Sequence, residues 1–399
     1  MNKFLYQFHF IFIFLSDFGL KAFGQELYLW QITSLIAVFI SLPLIKIRSA
    51  LPAIFIFLFS IIGLFFSIVD WNGPVLDRLI GFLLGSANFI IFVSAIFASM
   101  KSLNYLSYKT FYFVVSIYVV YFILEVISFY WAAELKPLLS LLHLNERALY
   151  KHTISMLGRE HSYGSLGVLS LVGVALLLKE RGVLSNSAVY LLMLFAVTVV
   201  FVASSKTFLI FTIIYLGIMG VRMFGFKAGI LGFFVIAIFF IYQYDSISNS
   251  FQKIFVLSSA SSYSRFYFGL VGLNIFIDNP LFGVGLGGYR FYFLEYVQSL
   301  GIEMRWDVGG ALSRSDTPSV DANNFYIGIL SEVGILGFLA AFLPILFRYL
   351  RLRMYTYIRY SFALIVVGAF GFHYWSVSFF PLLIAIIFLD RQSTSVRKL

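Results

Sequence analysis

The chain of 399 residues is 61% hydrophobic and only 12% charged, and its formal net charge is +10 at pH 7. Soluble domains carry about 25% charged residues, so this composition excludes an ordinary soluble domain and indicates an integral membrane protein. The sequence has no cysteine, which excludes disulfides and thiolate metal sites. It also has no nucleotide-binding or metal-binding motif, so we expect no cofactor, no metal and no nucleic-acid partner.

Apolar stretches of about twenty residues follow one another along the chain and predict an all-α, polytopic membrane protein with about twelve transmembrane helices. The N-terminal stretch follows Lys3 and lacks a small-residue cleavage site, so we expect a retained first helix. The last two stretches are short enough to be tilted or partly re-entrant. The predicted spans are 4–20, 27–45, 50–69, 79–99, 110–131, 163–178, 186–203, 206–221, 226–243, 324–347, 359–373 and 376–389.

The basic residues of the short connections predict the orientation of these spans. Cytoplasmic loops of membrane proteins are enriched in Lys and Arg. With the N-terminus in the cytoplasm, the short outside connections hold only Lys21, Arg78 and Lys206. Both termini are therefore predicted to be cytoplasmic. The inside loops hold Lys46, Arg48, Lys101, Lys109, Lys179, Arg181, Arg222, Lys227, Arg348, Arg351, Arg353 and Arg359.

Two long connections, 132–162 and 244–323, then fall on the periplasmic side. Connections of such length are normally functional. No linker, charge block or internal repeat divides the chain, so we predict one transmembrane domain, residues 1–399, with two large periplasmic loops. Ionisable residues close to the spans are expected to face the bundle interior, because they are costly in lipid. They are Asp17, Glu125, Glu332 and His373.

Fusion of a topology reporter tests this arrangement. A periplasmic reporter placed near Ser140 and another placed near Ser315 should both be active, because each position lies in a long outer loop. The readout is reporter activity in intact cells at equal expression. A cytoplasmic signal from either fusion would contradict the predicted topology.

The second long loop contains a glycine-rich segment, DNPLFGVGLG, at residues 278–287. An Asn-Pro turn followed by three alternating glycines permits close backbone approach and unusual dihedral angles. About thirty-five residues later, DANN at 321–324 opens an apolar run that includes SEVGILG at 331–337.

This pair of segments resembles the shared C-terminal region of the O-antigen polymerase (Wzy) and O-antigen ligase (WaaL) superfamily, and the resemblance covers about the last two-thirds of the chain. It implies a GT-C-like helical fold in the bacterial inner membrane. The implied activity is that of a metal-independent glycosyltransferase, a polymerase with a periplasmic active face. Its donor and acceptor would both be oligosaccharides linked to undecaprenyl pyrophosphate. The implied partners are the lipid bilayer and a Wzz-type chain-length regulator.

Cations of the outer loops are the predicted ligands of the pyrophosphate. Lys206 lies in SSKT at 204–207 and Arg265 in SSYSR at 261–265. In the family, arginines at these two places are proposed to hold the lipid pyrophosphate, and Lys206 keeps the charge but loses the bidentate fork. Arg147 and Arg290 each begin an Arg-x10-Gly spacing similar to the paired pattern of Wzy polymerases. Snorkelling towards headgroups is the alternative role for each cation.

The segment GREHSYGS at 158–165 supplies the predicted base. Glu160 is the first candidate, oriented by Arg159, and Asp321 is the second; a simple ion pair between Glu160 and Arg159 is the alternative. His161 stands where polymerase relatives have proline, and it is predicted to contact substrate. Ligases of the superfamily carry a histidine near 323–324.

This chain has Asn323 and Asn324 at that position. Asparagine accepts no proton at neutral pH, so the pair favours a polymerase and is predicted to bind glycan. Three alternatives stay open: an O-antigen ligase or related oligosaccharide transferase, a lipid-linked oligosaccharide flippase, and a peptidoglycan glycosyltransferase. The longest connection is outside and no half-repeat is visible, which favours an enzyme over a transporter.

Overall fold

The computed structural model describes residues 2–15, 19–22, 25–41, 47–69, 74–130, 161–202, 208, 211, 212, 215, 260–302, 324–369 and 379–389. These residues are predominantly helical, as the composition predicted. Their one hairpin pairs β1 (Gly19–Ala22) with β2 (Gln25–Tyr28). The helices are α1 (Asn2–Phe14), α2 (Leu29–Ser41), α3 (Ile47–Val69), α4 (Val75–Tyr105), α5 (Tyr108–Tyr130), α6 (His161–Glu180), α7 (Asn186–Val202), α8 (Ala260–Asp278), α9 (Tyr289–Ser299), α10 (Phe325–Leu352), α11 (Thr356–Gly368) and α12 (Phe379–Phe388).

Three of these helices contain stretches long and apolar enough to cross a membrane: Ala50–Val69 of α3, Val75–Tyr105 of α4 and Phe325–Leu352 of α10. Large apolar side chains such as Phe65 and Leu83 are exposed on them. Such surfaces suit contact with lipid, and the chain is therefore a membrane protein. The twelve spans, the GT-C-like arrangement and the orientation stay predictions.

The first two predicted spans are wrong where they meet. The predicted span 4–20 extends too far, because α1 stops at Phe14 and residues 19–20 already belong to β1. The predicted span 27–45 begins two residues too soon, because residues 27–28 belong to β2 and the helix begins at Leu29. The short strands pair in antiparallel register, with Gly19 opposite Tyr28. Lys21, Gln25 and Glu26 interrupt the apolar run here, and paired strands satisfy backbone groups that a broken helix would leave open.

Helix α4 is longer than the predicted span 79–99 and begins at Val75, after Pro74 at its N-cap. Proline suits this end because it fixes a helix-compatible φ and lacks an N–H that would need a partner. The prediction that Arg78 lies in an outside connection is therefore wrong. Arg78 lies in the first turn of α4 and is fully buried.

The described part of the second long loop, 244–323, contains two helices, α8 and α9, joined by residues 279–288. Phe268 of α8 meets Phe293 of α9 at a ring-centroid distance of 4.9 Å, and the Tyr289 hydroxyl donates to the Phe268 carbonyl at 2.8 Å. This aromatic cluster holds the two helices together and thereby presents residues 279–288 to the rest of the bundle. The first long loop, 132–162, lies outside the described residues except for its last two.

Helix α10 is not a straight rod. The Phe325 and Phe342 rings lie 6.0 Å apart, and the Tyr326 and Phe342 rings 5.3 Å apart. Seventeen residues of straight helix would separate Phe325 from Phe342 by about 25 Å. The two halves of α10 therefore fold back on each other at Gly334, whose φ of 65° and ψ of −171° are not helical. The predicted span 324–347 begins at the right residue but reverses within its length, so α10 has the length and composition of a span without being one straight helix.

Candidate functional site

The glycine-rich loop and the break in α10 are joined by backbone hydrogen bonds. We call this contact the loop–helix junction; it consists of residues 280–285 and 331–336. Two loop N–H groups donate to helix carbonyls, and two helix N–H groups donate back to loop carbonyls. The four bonds run from Val284 N to Ser331 O (3.0 Å), Gly285 N to Glu332 O (2.8 Å), Ile335 N to Pro280 O (2.8 Å) and Leu336 N to Leu281 O (3.3 Å).

Glycines permit this junction because the backbone on both sides takes conformations that other residues avoid. Gly283, Gly285 and Gly287 all have positive φ, at 66°, 85° and 69°. The unusual dihedral angles that the sequence predicted for this motif are thus confirmed. Gly334 occupies a region that is essentially restricted to glycine. The loop accordingly satisfies the carbonyls and N–H groups that the broken helix exposes, as irregular backbone buried in a membrane protein requires.

Small residues on α3 and α4 let the loop lie directly on these helices. A Cβ added to Gly63 would lie 2.5 Å from the Phe282 carbonyl oxygen, and one added to Gly85 would lie 2.6 Å from the Gly287 nitrogen. Between them, the Ser60 hydroxyl accepts a hydrogen bond from Leu286 N at 2.8 Å. The motif is therefore packed against two long apolar helices on one side and against α10 on the other.

Arg78 binds the centre of the loop. Its Nη2 donates to the Val284 carbonyl at 2.7 Å and to the Ser67 hydroxyl at 2.5 Å. The guanidinium also lies over the Phe291 and Tyr292 rings, at 5.1 and 5.2 Å from their centroids. Arginine makes charge-assisted hydrogen bonds and stacks on aromatic faces at the same time. Arg78 therefore links α4, the loop and α9 through one buried side chain.

Arg290, Arg78 and Glu332 form what we call the arginine cluster. The Arg290 guanidinium lies 4.8 Å from the Phe291 ring centroid, so one ring is approached by both arginines. Glu332 is 4% exposed and interacts electrostatically with both guanidinium groups. Burial lowers the pKa of Arg290, and the Glu332 carboxylate opposes this shift. The prediction that Glu332 faces the interior is confirmed.

Within the described part of the chain, this cluster carries two cations and one carboxylate, an excess of one positive charge. Buried charge is costly, and an ionisable residue inside a membrane protein is by default a candidate for a functional site. The buried Nε of Arg290 has no hydrogen-bond partner among the described residues. Arg290 as a whole is half-buried, so part of its side chain is open to a ligand although its Nε is buried. An anionic oxygen is the ligand that a guanidinium prefers.

Asp278, the first residue of the motif, has a structural contact. The Tyr296 hydroxyl of α9 donates a hydrogen bond to the Asp278 carboxylate. Burial and this bond together raise the pKa of Tyr296 above its usual value, so Tyr296 stays protonated as the donor. The bond ties the start of the loop to α9 and helps to hold Arg290 in place.

Three other predicted site residues have a described position. Asn324 caps α10, with its Oδ1 accepting from Tyr326 N at 3.0 Å and from Ile327 N at 3.3 Å. Arg265 lies in the N-terminal half of α8, and His161 is the first residue of α6. Eight residues of helix separate Asn324 from Glu332, about 12 Å along the axis, so the cap and the arginine cluster are not adjacent.

The remaining predicted site residues lie outside the described residues, and their roles stay predictions. They are Arg147, Arg159, Glu160, Lys206, Asp321 and Asn323.

Sequence reasoning missed Arg78, although a signal for it exists. Arg78, Gly81 and Gly85 recur at spacings of three and four residues, which places them on one face of a helix. An arginine and two glycines on one face of an apolar helix indicate a place where another backbone approaches. Glu332 was recognised as buried but not as part of a site, because its arginine partners are remote in sequence.

No protein-family model matches this chain, and no curated protein matches it.

Proposed function

We propose that this chain is a bacterial inner-membrane polysaccharide polymerase of the Wzy type. It joins oligosaccharide repeat units carried on undecaprenyl pyrophosphate by inverting glycosyl transfer at the periplasmic face. The observation that carries the proposal is the arginine cluster beside the loop–helix junction. The two motifs behind the resemblance meet there, and they place a half-buried arginine next to them.

The proposed chemistry requires cations for the leaving group. The acceptor hydroxyl oxygen attacks the anomeric carbon of the donor, and the bond between that carbon and the pyrophosphate oxygen breaks. The electron pair leaves with the lipid pyrophosphate, whose growing charge is stabilised by fixed cations. We assign Arg290, Arg265 and Lys206 to this role, with Arg147 in the first outer loop as a further contact.

The acceptor proton requires a base. Glu160 is our first assignment, with Arg159 orienting it, and Asp321 is the second. His161, Asn323 and Asn324 are assigned to the glycan. Holding donor and acceptor in line supplies the remainder of the rate enhancement. No step in this scheme uses a metal or a cofactor.

Reaction of the purified full-length protein with a synthetic lipid-linked repeat unit tests the proposal. A polymerase yields a ladder of products that each carry one lipid. Transfer only to a lipopolysaccharide core acceptor would instead identify a ligase. Transbilayer movement in vesicles without new glycosidic bonds would identify a flippase, and either result would overturn the proposal.

Arg290→Gln is expected to lower polymer formation about 10- to 100-fold, because a hydrogen bond to a charged group contributes about 1.5–3 kcal/mol. Arg290→Lys should retain more activity than Arg290→Gln, since it keeps the charge but not the planar fork. Turnover is measured at equal amounts of folded protein.

Arg353→Gln is the matched control for this prediction. Arg353 is exposed and caps the C-terminal end of α10, far along the helix from the junction. Its removal should therefore leave polymer formation unchanged. Equal turnover of Arg290→Gln and Arg353→Gln would show that Arg290 does not contact the reacting pyrophosphate.

A further inference from the structure

An apolar cavity of about 640 Å³ lies beside α10, bordered by α3, α4, α11 and α12. Ligand sites in proteins typically have volumes of about 300–1,000 Å³ and mainly apolar and aromatic linings. This lining is rich in phenylalanine, and its polar members among the described residues are two arginines, Arg348 and Arg351. The cavity is therefore an apolar chamber with a cationic end.

Aromatic rings line the cavity beside the first half of α10. Phe325 lies 6.5 Å from Phe92 and 5.5 Å from Phe380, measured between ring centroids. The fold-back of α10 brings Phe325 to this position. Phe325 and Ile329 line it from the first half of α10, and several residues between Ala341 and Arg351 line it from the second half. The stretch from Ala341 to Arg351 is about 15 Å of helix. That length is half of a hydrocarbon core of about 30 Å, which is the depth of one leaflet.

The cationic end is held in place by the bundle. Arg348 donates to the carbonyls of Ile387 at 3.3 Å and Leu389 at 3.2 Å, at the end of α12. Arg351 follows three residues later and is exposed. The positive-inside rule places this end of α10 at the cytoplasmic surface, where anionic lipid headgroups are found.

We propose that this cavity binds one anionic phospholipid of the cytoplasmic leaflet. One acyl chain fills the apolar chamber beside Phe325, and the phosphate lies against Arg351 beside Arg348. The length of the cavity matches one leaflet, and the charge of Arg348 and Arg351 favours an anionic headgroup. The site lies at the opposite end of the long helices from the arginine cluster, so the proposal does not depend on the proposed function. A bound lipid would contact Phe325 and Ile329 in the first half of α10 and would thereby stabilise the junction.

The test is native mass spectrometry of the full-length protein, released from nanodiscs that contain equal amounts of phosphatidylglycerol and phosphatidylcholine with identical acyl chains. Wild-type protein should retain one phosphatidylglycerol per chain. Ala341→Trp, which fills the chamber, should lower this occupancy at least tenfold. Leu343→Trp is the matched control, because Leu343 lies on the same helix, is 37% exposed and does not line the cavity. Its occupancy should equal that of wild type.

A second pair of variants tests the headgroup. Arg351→Gln should lower the preference for phosphatidylglycerol over phosphatidylcholine about fivefold, the effect of one cation near an anionic lipid surface. Arg353→Gln should not change it, since Arg353 does not line the cavity. Ala53→Met fills the chamber from α3 and replaces Ala341→Trp if that variant does not fold.

Several outcomes would overturn the proposal. They are loss of all lipid from wild type, equal retention of the two phospholipids, and equal occupancy in the filled and control variants. Recovery of a polyprenyl pyrophosphate from the cavity of protein purified from native membranes would assign the chamber to a different lipid and likewise refute a phospholipid site.

Discussion

Gly334→Ala is expected to lower the free energy of unfolding by about 3 kcal/mol or more. A residue other than glycine held at this backbone conformation costs about 1–3 kcal/mol. The added Cβ would also overlap the backbone of Leu281 and Phe282, so the loop must move away. Each hydrogen bond of the junction that is then lost costs a further 0.5–1.5 kcal/mol, roughly. The measurement is denaturant-induced unfolding in mild detergent.

Gly182→Ala is the matched control for this substitution. Gly182 also has a positive φ, at 73°, but an added Cβ there would meet nothing within 4 Å. Only the left-handed backbone penalty should appear, about 1–2 kcal/mol. If the two variants lose the same stability, the junction contributes nothing beyond backbone strain. If Gly334→Ala alone also loses polymer formation, the junction positions the site.

Arg78→Gln is expected to cost about 3 kcal/mol or more and to abolish polymer formation. Two acceptors, the Val284 carbonyl and the Ser67 hydroxyl, would lose their charged donor, and each hydrogen bond to a charged group contributes about 1.5–3 kcal/mol. The Val284 carbonyl would keep the Ser67 hydroxyl as a donor, at 3.1 Å, and Glu332 would keep one arginine of two. Arg78→Lys should restore only part of the stability, since a lysine lacks the planar fork and stacks poorly on Phe291 and Tyr292.

The control for Arg78 is Arg181→Gln. Arg181 also donates to a backbone carbonyl, that of Leu103 at 2.6 Å, but at the far end of α4 from the junction. Its loss should reduce stability and leave polymer formation per folded molecule unchanged. Unfolding curves and turnover are compared at equal protein. Normal activity and stability of Arg78→Gln would show that the loop does not depend on this arginine.

Much of the fold follows from the sequence. Long apolar stretches make helices in lipid, because only a helix satisfies its own backbone there. The start of α10 at Asn324, the positive φ values of Gly283, Gly285 and Gly287 and the burial of Glu332 were all predictable for local reasons. A capping side chain, a missing Cβ and the cost of a charge in lipid each act at a single position.

The boundaries of the first two spans were less predictable. Lys21, Gln25 and Glu26 indicate that the apolar run is interrupted, but they do not show whether the chain forms a loop or a strand there. The hairpin at 19–28 depends on pairing between its two strands, which no local pattern shows.

The tertiary structure alone decided the loop–helix junction, the reversal of α10 and the place of Arg78. The junction pairs segments about fifty residues apart through backbone atoms, and backbone hydrogen bonding is identical for every residue type except proline. Glycines indicate that a backbone approaches closely there, but no side-chain pattern identifies which segment approaches. Arg78 looked like an ordinary loop cation because its partners are a backbone carbonyl, a serine and two rings on distant elements. Arg78 is central to the site only because the folded chain brings these partners together around its guanidinium.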